Sequence, residues 1–257
     1  MPRTFALLLM LAVAAPAPAA GVLEAHTVYD HGGIVRFDTT QRIIYLVFTG
    51  HEFGDGGETI RQTLLHQGIH GSFFLTGDFY RNSAFRALVR ELHEDGHYLG
   101  PHSDKHLLYV PWENRDSLMV SRTEFLHDLQ ANIAALESCG IPKAEVRFFL
   151  PAYEWFNDSI AAWSRLGGLT LVNFTPGTSS NADYTTPDMG AHYLPSDTIM
   201  ARILGYEQRS ATGMNGFLLL VHIGTHPDRT DKFYSRLNEL VDALRRRGYR
   251  FRRLGEK

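Results

Sequence analysis

Covalent cross-links are what this sequence lacks first: it has one cysteine in 257 residues. A single thiol closes no internal disulfide, so the fold rests on burial rather than on staples. Nothing near Cys139 in the sequence supplies a base, which argues against a thiol nucleophile. An excess of charge is also missing. The 25 Lys and Arg against 28 Asp and Glu give a formal net charge of -3, with no basic footprint for nucleic acid or for an anionic membrane surface. The cluster Arg245-Arg246-Arg247 reads as a last helical turn that complements the helix dipole. Neither a Walker A nor a G-x-G-x-x-G pattern occurs, which removes support for nucleotide binding. Past the N-terminus no apolar run is long enough to span a bilayer, and no internal repeat or low-complexity tract is present.

What is there begins with an export signature. Arg3 precedes an apolar run over residues 5–14, followed by small residues and prolines with Ala17-Pro18-Ala19 as a small-x-small cleavage site. Residues 1–20 read as a secretory signal peptide and residues 21–257 as one mature domain, exported to the periplasm or beyond the cell. With 44% hydrophobic residues the mature chain can bury a substantial core.

Short apolar runs alternate with amphipathic helical patterns. The strand-like runs are 43–48, 71–76, 98–100, 146–150, 170–174, 217–223 and a final 249–254. Helical periodicity marks 59–66, 83–93, 123–138, a segment opening at Asn157, and 231–247. Residues 176–197 lack periodicity and read as a long polar loop. Alternation with near-continuous apolar strands predicts an α/β fold with a mainly parallel sheet, a barrel or near-barrel of about seven strands.

Chemistry-bearing residues fall at the strand ends, which such folds bring to one face. His102-Ser103-Asp104-Lys105-His106 places two imidazoles four residues apart, and Asp55 sits in the glycine-rich segment after the first apolar run. Asp55, His102 and His106 together are a candidate site for one divalent ion, zinc by its two imidazoles and one carboxylate. His222 ends an almost purely apolar strand and could serve as general acid. Glu52 is the candidate base, with His51 as a second choice or a substrate contact. Tyr109, Trp112, Tyr153, Trp155 and Phe156 cluster near these loops, and Trp112 and Trp155 are candidates for a stacking platform.

Order and spacing of these residues resemble the polysaccharide deacetylase family (NodB-homology domain, carbohydrate esterase family 4), from about Ile43 to the C-terminal strand. Its T-F-D-D-G motif resembles Phe53-Gly54-Asp55-Gly56. Its H-S/T-x-x-H motif is matched in full by His102 to His106. Its third motif resembles Leu150-Pro151-Ala152-Tyr153, and its L-x-H motif is matched by Leu220-Val221-His222. The resemblance implies a distorted (β/α) barrel and metal-dependent removal of N- or O-linked acetyl groups from an oligo- or polysaccharide. It implies Asp55, His102 and His106 as metal ligands, the backbone N–H of Tyr153 as an oxyanion donor, Leu220 against the acetyl methyl, and His222 as acid.

The chain also departs from the pattern. Gly54 stands where the family has its basic aspartate, and Leu150 replaces an arginine, with Arg147 on the opposite face of the strand. The fourth motif's aspartate-tryptophan pair finds its nearest counterpart in Asp183-Tyr184, which makes Tyr184 a candidate substrate contact. Glu52, His51 and Glu154 are open alternatives for the base, Glu154 otherwise being a solvated loop residue. A carbohydrate-binding protein with a vestigial metal site is the alternative function. A glycosidase using Glu52 and Glu154 is a third reading.

Overall fold

The computed structural model describes residues 25–256; the expected signal peptide lies outside them. The strands are β1 (Val28–Asp30), β2 (Gly33–Arg36), β3 (Ile43–Gly50), β4 (Ser72–Leu75), β5 (Tyr98–Pro101), β6 (Phe148–Phe149), β7 (Thr170–Leu171), β8 (Phe217–His222) and β9 (Arg250–Arg252). The helices are α1 (Gly57–Gln67), α2 (Gly77–Arg81), α3 (Arg86–Glu94), α4 (Arg122–Ser138), α5 (Asp158–Leu166), α6 (Ser196–Arg209) and α7 (Leu237–Arg246).

The sheet runs β1-β2-β8-β3-β4-β5, with β9 also paired to β3. β3, β4, β5, β8 and β9 pair in parallel, while β2 is antiparallel to both β1 and β8. The short parallel ladder β6-β7 closes the curl. On one side Leu150 N–H donates to Pro101 O, and on the other Asn173 N–H donates to Ile34 O at 2.8 Å. The result is the distorted (β/α) barrel that the sequence predicts.

Side-chain alternation explains how both faces of each strand are buried. Val47, Phe74, Tyr98, Leu150, Val172, Leu218 and Leu220 point into the barrel and form its interior with Ile34 and Leu254. Their sequence neighbours Leu46, Phe48, Phe73, Leu75, Leu99, Phe149, Leu219 and Val221 point outward and join the helix faces in a larger core. Helix α4 shows the logic of its layer: a Ser121/Glu124 capping box opens it, and Phe125, Leu129, Ile133 and Leu136 are buried along one stripe.

Three elements go beyond the sequence reading. β1 and β2 form an N-terminal hairpin whose strands are too short to signal themselves. α6 follows Pro195 and buries Ile199, Met200 and Ile203. The segment expected as a long polar loop contains two 3₁₀ turns, Ser180–Tyr184 and Pro187–His192. It is anchored by fully buried Arg229, whose guanidinium donates to Thr185 O at 2.6 Å and Leu194 O at 3.0 Å.

Candidate active site at the mouth of the barrel

The inward alternation of three strands continues to their carboxyl ends. Past Val47 it reaches Thr49, past Tyr98 and Gly100 it reaches His102, and past Leu218 and Leu220 it reaches His222. Thr49 and His222 are also direct partners across the β3–β8 ladder. All three line a cleft of about 800 Å³, with His51, Glu52, His106, Trp112, Tyr153, Glu154 and Tyr184.

The histidine loop is built by helix α4. Asp128 and Asn132 lie one turn apart on its buried face. Asn132 accepts from His102 N–H at 2.8 Å and donates to Leu75 O at 3.2 Å, tying the loop to the end of β4. The Asp128 carboxylate accepts from Asp104 N–H at 3.1 Å, Ser103 Oγ at 3.3 Å and Tyr109 OH at 2.6 Å. This network holds Ser103 (φ 69°) and His106 (φ 54°) in the left-handed region that such residues rarely enter. The two imidazoles therefore converge through a strained loop, not through a helical turn.

His102 Nδ1 lies 2.9 Å from Leu150 O. A carbonyl only accepts, so Nδ1 carries the proton and Nε2 presents its lone pair. His51 Nδ1 lies 3.2 Å from Thr76 Oγ1. The His106 ring stacks on His51 at 4.6 Å and 9°, and sits 5.2 Å from His102 and 4.3 Å from Tyr153. Burial first, then the neighbouring His51 and His222, pulls His106 down to about 3. Burial and His106 hold His102 well below the ordinary histidine value. Both rings are thus neutral at physiological pH.

His222 is set the other way. Its Nδ1 donates to Asp183 Oδ1 at 2.6 Å, and its backbone N–H donates to Asp183 Oδ2 at 2.9 Å. Burial alone would lower its pKa, but the Asp183 carboxylate outweighs burial and raises it. Across the cleft, the Glu154 carboxylate reaches within 4.0 Å of His102 Nε2 and is only 12% exposed. Burial lifts it to about 7, against the opposing pull of His222. Glu154 sits at φ 53° directly after Tyr153 at φ 60°, and its carbonyl accepts from Asn173 Nδ2 at 2.7 Å. Thr49 Oγ1 is buried with no hydrogen-bond partner among the described residues.

The site residues expected from sequence separate into two groups. His51, Glu52, His102, His106, Tyr153, Tyr184 and His222 line one cleft. Asp55, Trp155 and Leu220 do not. Leu220 is fully buried in the barrel interior. Trp155 lies beneath Trp112 at 5.7 Å, with the Arg115 guanidinium 4.4 Å from its ring. Arg147 bonds Gly255 O, away from the cleft.

Asp55 opens on a neighbouring cleft with Phe85, Leu88 and Lys232. Its carboxylate accepts from Tyr234 OH at 2.7 Å and Thr225 N–H at 2.8 Å, and pairs with Lys232 Nζ at 3.0 Å. Burial alone would raise its pKa, but these donors together hold it below the ordinary value. An ammonium already on the carboxylate does not suit a metal ligand. Among the described residues no three His, Cys, Asp or Glu side chains are already grouped to hold an ion. Glu52 is 68% exposed, with Oε1 3.9 Å from His51 Nε2.

Sequence reasoning missed Asp183 as the partner of His222, although it singled out Asp183-Tyr184. From sequence that segment reads only as a long polar loop, and only the fold brings it under the end of β8. The signal for Asp128 and Asn132 was present: two polar residues at i and i+4 beside the apolar stripe of α4.

No curated protein sequence matches the chain. Solved structures do match its fold. A family 4 carbohydrate esterase pseudoenzyme from Bacillus anthracis is 15% identical, with a TM-score of 0.67 over 88% of this chain and 68% of that one. PdaA of Bacillus subtilis, a family 4 carbohydrate esterase, is also 15% identical, with a TM-score of 0.67 over 87% of this chain and 83% of that one. The Bc1960 peptidoglycan N-acetylglucosamine deacetylase is 18% identical, with a TM-score of 0.66 over 86% and 89% of the two chains. The polysaccharide deacetylase profile matches residues 37–172, more than half of the 257. The chain therefore belongs to the polysaccharide deacetylase family.

Proposed function

We propose that the protein is an exported, metal-dependent hydrolase that removes acetyl groups from an oligo- or polysaccharide. The observation that carries this reading is the pairing of His222 with Asp183 at 2.6 Å, facing the largely enclosed Glu154 across the cleft. The two groups are displaced in the directions that acid-base catalysis needs. Glu154, near 7, accepts the proton of the water that attacks the acetyl carbonyl. His222, protonated through its bond to Asp183, gives a proton to the departing sugar nitrogen or oxygen as the acetyl bond breaks. Acetate and the free amine or hydroxyl are the products. A divalent ion, when bound, would lower the pKa of water and polarise the carbonyl. Glu154 is favoured over Glu52 as base because it is enclosed and faces His102, whereas the Glu52 carboxylate is largely in solvent. Exposed Trp112, Tyr153 and Tyr184 around the rim suit the apolar faces of sugar rings.

The apolar run and small-residue site at the N-terminus support export to the periplasm or the medium. Intact-mass measurement of the processed protein tests this.

A second reading, a saccharide-binding protein with a vestigial site, draws on the engagement of Asp55 by Lys232 and Tyr234. A related fold is itself described as a pseudoenzyme. Acetate release from a panel of N- and O-acetylated glycans, with and without chelator, separates the two. Chelator-sensitive release supports the hydrolase. Glycan binding without release supports the second reading.

A further inference from the structure

We propose that His51, not Asp55, completes the metal site, so that three imidazoles, His51, His102 and His106, hold the ion. This rests on the metal-dependent reading above and changes its ligand set. The first argument is position. His51 and His106 rings lie 4.6 Å apart, His106 and His102 rings 5.2 Å apart, and all three line one cleft. Asp55 lies in the next cleft with its oxygens taken by Tyr234, Thr225 and Lys232.

The second argument is how the rings are held. Leu150 O anchors His102 at Nδ1, and Thr76 Oγ1 meets His51 at Nδ1. A partner on one ring nitrogen is the arrangement that orients the other toward a metal. His106 has no hydrogen-bond partner among the described residues, so its ring can turn out of the parallel stack without breaking a bond. The third argument is the buried Thr49 hydroxyl. It has no partner among the described residues and lines this same cleft, which points to a polar occupant. Once the His106 ring turns out of its stack on His51, three imidazoles and an open position form a zinc donor set in their own right.

The test is zinc alone, added to the full mature protein and to His51→Ala, His51→Asp and Asp55→Asn. Bound zinc is measured by mass spectrometry after dialysis, affinity by chelator competition, and folding by circular dichroism. Zinc-induced rise in Tm gives a readout independent of activity. We expect one zinc per wild-type chain. His51→Ala should weaken affinity by at least the roughly 10–100-fold typical of lost ligand support. His51→Asp should restore much of it, and Asp55→Asn should keep wild-type stoichiometry and affinity. If His51→Ala does not fold, His51→Gln gives the same readout. The proposal is overturned if folded His51→Ala binds zinc like wild type, if folded Asp55→Asn loses it, or if wild type binds none. Acetate release is scored separately. Wild type that binds zinc through His51 yet deacetylates nothing refutes the hydrolase reading and leaves the ligand set standing. Deacetylation with zinc binding indifferent to His51 does the reverse.

Discussion

Asp183 grips His222 twice, accepting from its ring Nδ1 at 2.6 Å and from its backbone N–H at 2.9 Å. One carboxylate thereby fixes the tautomer, the ring orientation and the strand end that carries it. The role parallels the orienting carboxylate of a catalytic triad, which stabilises the imidazolium without itself taking the proton.

His222→Ala should lower acetate release by about 10²–10⁴-fold, the usual loss for a general acid. Asp183→Asn should leave the ring in place but weaken its hold on the proton. Since Asp183 raises the His222 pKa, and the acid works only while protonated, its removal should shift the alkaline limb of the kcat/KM profile to lower pH. An unmoved limb in a folded Asp183→Asn protein would take His222 out of the acid role.

Glu154→Gln should abolish most turnover, about 10²–10⁴-fold for a lost base, while Glu52→Gln should cost far less. The base must be ionised, so activity should rise as pH climbs through its pKa. That value is about 7, and a bound cation would move it lower. Comparing the two variants at saturating glycan decides between the carboxylates. Equal losses, or a larger loss in Glu52→Gln, would return the base to the glycine-rich segment.

The sequence showed much of this fold and less of its site, for a physical reason. Apolar strands buried on both faces announce themselves, so the runs ending near Phe48, Gly100 and His222 were legible. β1 and β2 were not, because a three- or four-residue strand carries little pattern. His102 and His222 were legible because strand alternation continues into them, and His106 because it stands four residues past His102. The Asp55 expectation rested on motif spacing, which does not measure where a strand stops. β3 runs on to Gly50 and α1 starts at Gly57, so Asp55 belongs to the helix entrance and His51 to the barrel mouth. Asp183 was visible only as half of a poor motif match, since its partner lies 39 residues away.

Asp55 should therefore read out as a stability residue. Replacing it with Asn weakens charge-assisted bonds to Tyr234 and Lys232; with the carboxylate 42% exposed, solvent screening limits the predicted loss to about 1 kcal/mol in urea unfolding. Its pKa is held below the ordinary 3.8. The carboxylate thus stabilises the fold above that value, and the benefit disappears as pH falls through the lowered folded pKa. Wild type and Asp55→Asn should differ at neutral pH and converge in strong acid. A difference that persists at the acid end would mean that the carboxylate's charge is not what matters.

The last prediction concerns the scaffold under the histidine loop. Asp128 is buried and accepts from Tyr109, Ser103 and the backbone of Asp104. Asp128→Ala would leave those donors without a partner, at about 1–3 kcal/mol each, so a loss of several kcal/mol is expected. Asp128→Asn is the more informative change. It keeps the volume and one accepting oxygen, so the chain should fold, but the strained turns at Ser103 and His106 lose part of what holds them. His102 keeps its own anchors in Asn132 and Leu150, so the displacement should fall on His106. The expected signature is weaker zinc binding and reduced turnover with a smaller effect on glycan affinity, because, of the rim aromatics, only Tyr153 packs on His106, while Trp112 and Tyr184 do not touch this network. Unchanged zinc affinity in folded Asp128→Asn would show that the loop keeps its shape without the carboxylate, and that its strain is balanced elsewhere.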